Sequence, residues 1–226
     1  MKLHFSIKYF TQWGQNMTIL GNLPQLGGND PAKALFMNFQ WKENWSYTIE
    51  VEATEPFELN YRYLLKDNNG LDNFEWGTDR TIMVDPAAQE DLYLYDTWNN
   101  PGAIENVFMT SPFQDVLFKD NYIPVKAAVK RKYTHTFRVK APLLKKGEGL
   151  CLVGNVKALG AWDGAKCLPL SNENSPWWSV KVDLSKCKEE GVSYKYAVYD
   201  LEDKTFRYFE NGPDRYAPVS GDGKAM

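Results

Sequence analysis

The chain has 226 residues, with 26 Lys and Arg against 29 Asp and Glu and a net charge of −3 at neutral pH. That balance leaves no basic surface for binding nucleic acid by neutralising phosphates. No apolar run approaches the roughly 20 residues that cross a bilayer, so neither nucleic acid nor membrane is expected as a partner. The length suits one large domain or two smaller ones, each able to bury a core.

The opening Met1 to Ser6 lacks the apolar stretch of a secretory leader. Further along, short runs alternate in period two and are rich in aromatic and β-branched residues, the signature of half-buried strands. They are 45–51 (WSYTIEV), 59–64 (LNYRYL), 82–84 (IMV) and 91–96 (DLYLYD). Turn residues punctuate them at 26–31 (LGGNDP), 67–70 (DNNG) and 99–102 (NNPG). The stretch 104–118 (IENVFMTSPFQDVLF) is apolar enough to pack, and the basic run 126–132 reads as a solvated connector. Strand patterns resume at 178–184 (WSVKVDL) and 192–198 (VSYKYAV), with a turn at 211–214 (NGPD).

The second half repeats the first. Gly14 matches Gly147, Gly21-Asn22 matches Gly154-Asn155, Leu26-Gly27 matches Leu159-Gly160, Trp45 matches Trp178, and Tyr61-Arg62-Tyr63 matches Tyr194-Lys195-Tyr196. Each pair stands 133 positions apart, as from Gly14 to Gly147, which identifies a tandem duplication. The expected fold is all-β: two tandem immunoglobulin-like antiparallel β-sandwiches, residues 1–99 and 131–226, joined by a packed linker at 100–130. After Arg80 the first copy continues through two more strand patterns to Trp98, whereas after Arg215 only Tyr216 to Met226 remain. The last strand of the second copy is therefore expected to be missing or unpaired, as in a fragment of a longer polypeptide.

Cys151, Cys167 and Cys187 form no CxxC pair, which fits free thiols in a reducing, cytoplasmic compartment. His4 and His135 stand alone, no metal-ligand spacing occurs, and no cofactor is expected. The outstanding feature is aromatic content, with 8 Trp, 13 Tyr and 12 Phe. Trp45 and Trp178 begin matched strands and read as core. Trp13 and Trp162 lie in turn-like stretches, where a ring either stands in solvent or folds back as a lid. Trp41 has no equally placed partner and is expected on the surface. Trp76 lies near a strand end, open to either reading, and Trp98 reads as structural. Flat rings on loops suit the apolar C–H faces of glucose polymers, much as aromatic platforms hold nucleic-acid bases at about 1–3 kcal/mol per stack.

Both copies resemble the family 20 starch-binding carbohydrate-binding modules. Copy two carries the likeness in Val153-Gly154-Asn155, Leu159-Gly160-Ala161-Trp162, Tyr194-Lys195-Tyr196 and Phe209-Glu210-Asn211-Gly212-Pro213-Asp214-Arg215. Copy one carries it in Trp13-Gly14-Gln15-Asn16, Leu20-Gly21-Asn22, Gln25-Leu26-Gly27 and Tyr61-Arg62-Tyr63. The tandem arrangement, with the segments 9–14 and 112–118, resembles the N-terminal region of disproportionating enzyme 2-type 4-α-glucanotransferases of glycoside hydrolase family 77. The resemblance implies α-1,4-glucan as the ligand and a C-terminal catalytic domain of the same polypeptide as the second partner.

The family's first sugar site would fall on Trp162, Lys195, Phe209, Glu210 and Asp214 of copy two. In copy one the same transfer gives Asn29 for the first tryptophan, with Trp76 and Arg62 remaining, Gly77 at the glutamate position and the loop before Arg80 two residues shorter. The family's second site would use Trp13 and Trp41 in copy one, while copy two has Lys146 at its first position. The copies would thus keep different sites. Catalysis in family 77 belongs to a (β/α)₈ barrel of about 250 residues, which this chain has no room for, so the fragment itself is expected to bind and not to catalyse. A rival reading remains: a structural pair of sandwiches that has lost sugar binding and docks on the catalytic domain.

Overall fold

Alternating apolar residues build a pair of sheets in each half of the chain. The computed structural model describes residues 1–40, 43–69, 72–88, 91–120, 123–127, 133–174, 177–219 and 224–225. The chain divides into two units, Met1–Ile104 and Glu105–Met226.

In the first unit nine strands follow in order: β1 (Lys2–Lys8), β2 (Asn16–Gly21), β3 (Leu35–Phe36), β4 (Asn38–Gln40), β5 (Asn44–Glu50), β6 (Phe57–Lys66), β7 (Asp72–Phe74), β8 (Arg80–Val84) and β9 (Asp91–Thr97). One sheet runs β4-β5-β1-β9, antiparallel except where β9 lies parallel to β1. The other is antiparallel and centres on β6, which pairs with β2, β7 and β8, while β3 extends β2. Period-two alternation turns Leu3, Phe5 and Ile7 of β1 inward, and Leu59, Tyr61 and Tyr63 of β6 likewise. The two sets meet where the Phe5 and Tyr61 rings lie edge to face at 5.1 Å. Trp45 is buried as expected, its indole N–H donating to the Tyr9 carbonyl at 3.3 Å.

A polar knot lies within this core. Asp96 of β9 accepts hydrogen bonds from the Tyr61 and Tyr63 hydroxyls, both at 2.8 Å, and from Arg80 at 3.1 Å. Glu75 takes the other side of Arg80 at 2.6 Å and accepts the Tyr63 backbone N–H at 3.0 Å. Burial disfavours the charge on Arg80, but Asp96 and Glu75 outweigh it, so the guanidinium is held more firmly charged than in water.

The second unit repeats this plan with β10 (His135–Lys140), β11 (Glu148–Gly154), β12 (Leu168–Pro169), β13 (Ser171–Asn174), β14 (Trp177–Val182), β15 (Gly191–Asp200), β16 (Phe206–Phe209), β17 (Arg215–Pro218) and β18 (Lys224–Ala225). Here β14 pairs with β10 and β13, while β15 pairs with β11, β16 and β17. Phe137 meets Tyr194 edge to face at 4.8 Å, and Trp178 is buried. The final strand, expected to be missing or unpaired, is instead begun: β18 is a two-residue stub lying parallel to β10 at His135↔Ala225. Its counterpart β9 has seven residues and aligns Leu3 with Leu92. The sequence pattern could not reveal this strand because two residues hold no alternation.

Ahead of β10, the segments Ile104–Met109 and Pro112–Leu117 are short helices of six residues each, and the rings of Phe108, Phe113 and Phe118 pack together at 5.3–6.4 Å. The buried Asn172 side chain then ties the following segment down, accepting from the Val125 N–H at 2.8 Å and donating to the Ile123 carbonyl at 2.9 Å.

Two outcomes follow. Asp96→Asn leaves Arg80 half-paired in a buried site and should lower the stability of the first unit by about 3 kcal/mol, read as an earlier urea transition. His135 is buried beside Thr134 and the Pro218 carbonyl, and burial holds its pKa below the ordinary histidine value. The unfolded chain then binds a proton more readily, so the second unit should lose stability as pH falls below about 6.5. An NMR titration should show the His135 imidazole protonating below that value; protonation above it would contradict the assignment.

Candidate carbohydrate-binding site

The loop between β11 and β12 carries Trp162. After β11, Lys157–Leu159 form one tight turn, and Gly160, Ala161 and Trp162 then take positive φ values of 83°, 52° and 59°. A Cβ on Gly160 would come within 2.8 Å of the Lys166 carbonyl oxygen, so glycine is required there. The Trp162 N–H donates to the Gly154 carbonyl at 2.8 Å. Asp163 next caps the turn Gly164–Lys166 by accepting the Ala165 N–H at 3.0 Å, and it pairs with Lys166 at 2.6 Å. The first unit has the same path with Gly27, Gly28 and Asn29 at 85°, 57° and 64°, and the Asn29 N–H reaches the Gly21 carbonyl at 2.8 Å. The backbone is common to both; the ring is present in one.

Trp162 is 38% exposed and Phe209, at the end of β16, is 37% exposed. Their rings stand at 6.3 Å and 79° to each other. Phe206 packs against Phe209 at 4.7 Å and supports it from β16; in the sequence the only sign of this support is the ring-dense run Phe206-Arg207-Tyr208-Phe209.

Lys195, Glu210 and Asp214 meet in the loop that follows. The Lys195 ammonium donates to the Gly212 carbonyl at 2.6 Å and the Glu210 carbonyl at 3.3 Å, with Asp214 at 3.9 Å. Glu210 accepts the Tyr196 N–H at 3.0 Å, the Arg215 Nε–H at 2.7 Å and one terminal guanidinium N–H at 2.8 Å. Its carboxylate is thus engaged on both oxygens in shaping the loop.

The first unit builds the same loop on different numbers. Glu75 accepts the Tyr63 N–H and two bonds from Arg80, as Glu210 does from Tyr196 and Arg215. Arg62 donates to the Gly77 carbonyl at 2.6 Å and pairs with Asp79 at 2.7 Å, as Lys195 does with Gly212 and Asp214. These partners stand 135 positions apart, as from Glu75 to Glu210, because the hairpin between β6 and β7 is two residues shorter than that between β15 and β16. Phe74 therefore corresponds to Phe209 and Glu75 to Glu210, which corrects the alignment that set Trp76 and Gly77 at those places by putting the two-residue difference in the loop before Arg80. Arg62 lies over the Phe74 ring at 5.5 Å. Trp76 is half-buried, its N–H bound to the Asn99 carbonyl at 2.9 Å.

Trp13 sits at the tip of the turn between β1 and β2, fully exposed at 105% of its reference area. Gln12 and Gln15 close that turn: the Gln15 N–H donates to the Gln12 carbonyl at 3.0 Å, and the Gln15 side chain accepts the Gln12 N–H at 2.9 Å. Gly14 at φ 85° makes the turn possible. In the second unit Lys145 and Glu148 make the same two bonds around exposed Lys146, so the turn persists without the ring. Trp41 lies outside the described residues.

Each of the duplicated sandwiches carries an exposed ring on a closed loop, and the sequence profile of the starch binding domain matches residues 1–92 and again 132–226. The chain belongs to the starch binding domain family. It is similar to the 4-alpha-glucanotransferase DPE2 of Oryza sativa subsp. japonica, 27% identical over 236 residues that cover 96% of this chain and 24% of that protein. An alpha-amylase of Streptomyces violaceus is 34% identical over 96 residues, 42% of this chain and 16% of its own length. Among solved structures, the family 20 module of the maltotetraose-forming amylase from Pseudomonas saccharophila STB07 is 19% identical, with a TM-score of 0.33 over 37% of this chain and 90% of that one. The chain thus spans a quarter or less of the curated relatives named. No described helix is long and apolar enough to cross a membrane.

The shared backbone of the two ring loops makes a stability forecast. Trp162→Asn places at φ 59° the residue that the first unit already holds there, and asparagine tolerates this region well. The thermal midpoint of the second unit should change by no more than a few degrees, whereas Gly160→Val should lower it sharply.

Proposed function

We propose that this chain binds α-1,4-glucans (starch, glycogen or maltooligosaccharides) by aromatic stacking, and that it serves as the non-catalytic N-terminal region of a cytoplasmic 4-α-glucanotransferase of glycoside hydrolase family 77. The observation that carries the reading is the exposure of Trp13 at a closed turn, together with Trp162 held on a left-handed loop beside Phe209. Neither ring is needed to fold its loop, since the opposite unit makes each loop without one. Large apolar rings kept in water by a rigid backbone signal a ligand with apolar faces.

In this reading Trp162 and Phe209 form the main platform of the second unit, with Lys195, Glu210 and Asp214 shaping its polar rim. Trp13, with Trp41, forms the platform of the first. Arg62 and Trp76 border the corresponding loop there, where the first ring is replaced by Asn29. The similarity to the rice glucanotransferase over nearly the whole chain supports the assignment of the parent enzyme, whose catalytic domain would be the second partner. The sparse, unpaired cysteines support a reducing compartment.

Titration with maltoheptaose, followed by tryptophan fluorescence or calorimetry, tests the proposal. Binding in the micromolar to millimolar range is expected, with Trp162→Asn and Trp13→Ala each weakening it about tenfold while circular dichroism stays unchanged. A folded wild-type chain that gives no response to maltoheptaose or to granular starch would remove it and leave the rival, structural reading.

A further inference from the structure

A further exposed ring lies on the same face as the Trp162 platform. Tyr216 of β17 is 63% exposed, although it sits in a paired strand rather than on a loop. Its neighbour Ala217 belongs to the core, so strand alternation turns Tyr216 outward. On β15, Val192 and Tyr196 are core residues, which turns Ser193, Lys195 and Ala197 to that same outer face. Ala197 stands opposite Phe209 and Ser193 opposite Tyr216, while β11 takes the other edge of β15. The two ring-bearing positions are thus four residues apart along one edge of β15. That is roughly 13 Å, at about 3.3 Å per residue. Between them stand Lys195 and Asp214, the polar rim of the platform.

The seat of Tyr216 is a glycine. A Cβ on Gly191 would overlap the Tyr216 hydroxyl and lie within 2.6 Å of its Cε2. The end of the ring therefore rests on bare backbone, and glycine in a strand often marks such a close approach. The first unit differs at both places together. Glu58 and Asn60 stand where Gly191 and Ser193 do, 133 positions earlier, and Thr81 faces Asn60 as Tyr216 faces Ser193. There the side chains satisfy one another: the Thr81 hydroxyl donates to Asn60 at 2.7 Å, and Asn60 donates to Glu58 at 2.8 Å. That sheet closes with neither the ring nor the glycine, so the fold calls for neither in the second unit.

We propose that Tyr216, seated on Gly191, is a further stacking platform that extends the Trp162 and Phe209 site along the outer face of β15. Its ligand is the next stretch of the same α-glucan chain, so the statement rests on the function proposed above. A glucan held at Trp162 passes over Lys195 and Asp214, whose charged groups suit sugar hydroxyls, before it reaches the tyrosine. Tyrosine fits that place because its ring offers an apolar face and its hydroxyl a hydrogen bond. A second ring on the same rigid sheet adds contact area without the cost of ordering a new loop. It helps only ligands long enough to reach it, so the second unit favours longer chains over short ones.

The test compares maltose, too short to span both rings, with maltoheptaose. Each is titrated by NMR into a Trp13→Ala chain, in which the first unit's platform is silent. Adding Tyr216→Thr should weaken maltoheptaose binding about three- to tenfold and leave maltose binding unchanged. Tyr216→Phe should keep most of the affinity, because the ring remains. Gly191→Ala should weaken maltoheptaose binding in the same sense, by pushing the ring off its seat, with circular dichroism unchanged. Unchanged maltoheptaose affinity in Tyr216→Thr would overturn the platform, and equal losses for both sugars would mark a structural residue instead. Unchanged affinity in Gly191→Ala would overturn the role of the glycine. Loss of all binding in the Trp13→Ala chain itself would sink the glucan reading of the second unit, a result distinct from the other three.

Discussion

The arginine–glutamate pair of each sandwich, buried in the first unit and half-exposed in the second, is the constraint on which the rest depends. One carboxylate, Glu75 or Glu210, accepts a backbone N–H from the central strand and both the Nε–H and one terminal N–H of the arginine that opens β8 or β17. Three separate segments are thereby held to one point: the long central strand, the loop whose carbonyl accepts from the lysine or arginine anchor on that strand, and the strand that follows. Bidentate contact fixes direction as well as distance. The loop beside Phe209 can then be irregular and solvent-facing, because its two ends have nowhere else to go.

The surroundings of this pair differ between the units in one respect. Asp96 completes the first knot by accepting two tyrosine hydroxyls and the second face of the arginine. In the second unit the Tyr196 hydroxyl donates instead to the Arg138 carbonyl at 3.0 Å. The same pair of tyrosines thus serves two networks, one closed on a carboxylate and one on backbone. Their hydroxyls stay protonated in either setting, since burial raises the pKa of Tyr63 and Tyr196 well above the ordinary value.

Much of the architecture could be read from the residues. The constant spacing from Gly14 to Gly147 and from Trp45 to Trp178 reflects matched turns and matched core positions, and such features tolerate little drift. The strand alternation of 59–64 and 192–198 appears as expected in β6 and β15. The rings of Trp13 and Trp162 were legible as surface features from their turn-like neighbours. What escaped was local. A two-residue difference in a hairpin shifts the partner of Phe209 from Trp76 to Phe74, and spacing alone gives no sign of where such a difference falls. Hydrogen bonding to Glu75 reveals it.

The coincidence of backbone angles at Asn29 and Trp162 has a wider meaning. A scaffold whose bends are set by glycines and main-chain bonds leaves the tip residue free to vary without refolding anything. Duplication followed by exchange at that one tip can therefore retire a sugar contact in one module while its twin retains it, so recognition in such tandem proteins can drift by single substitutions across an unchanging frame.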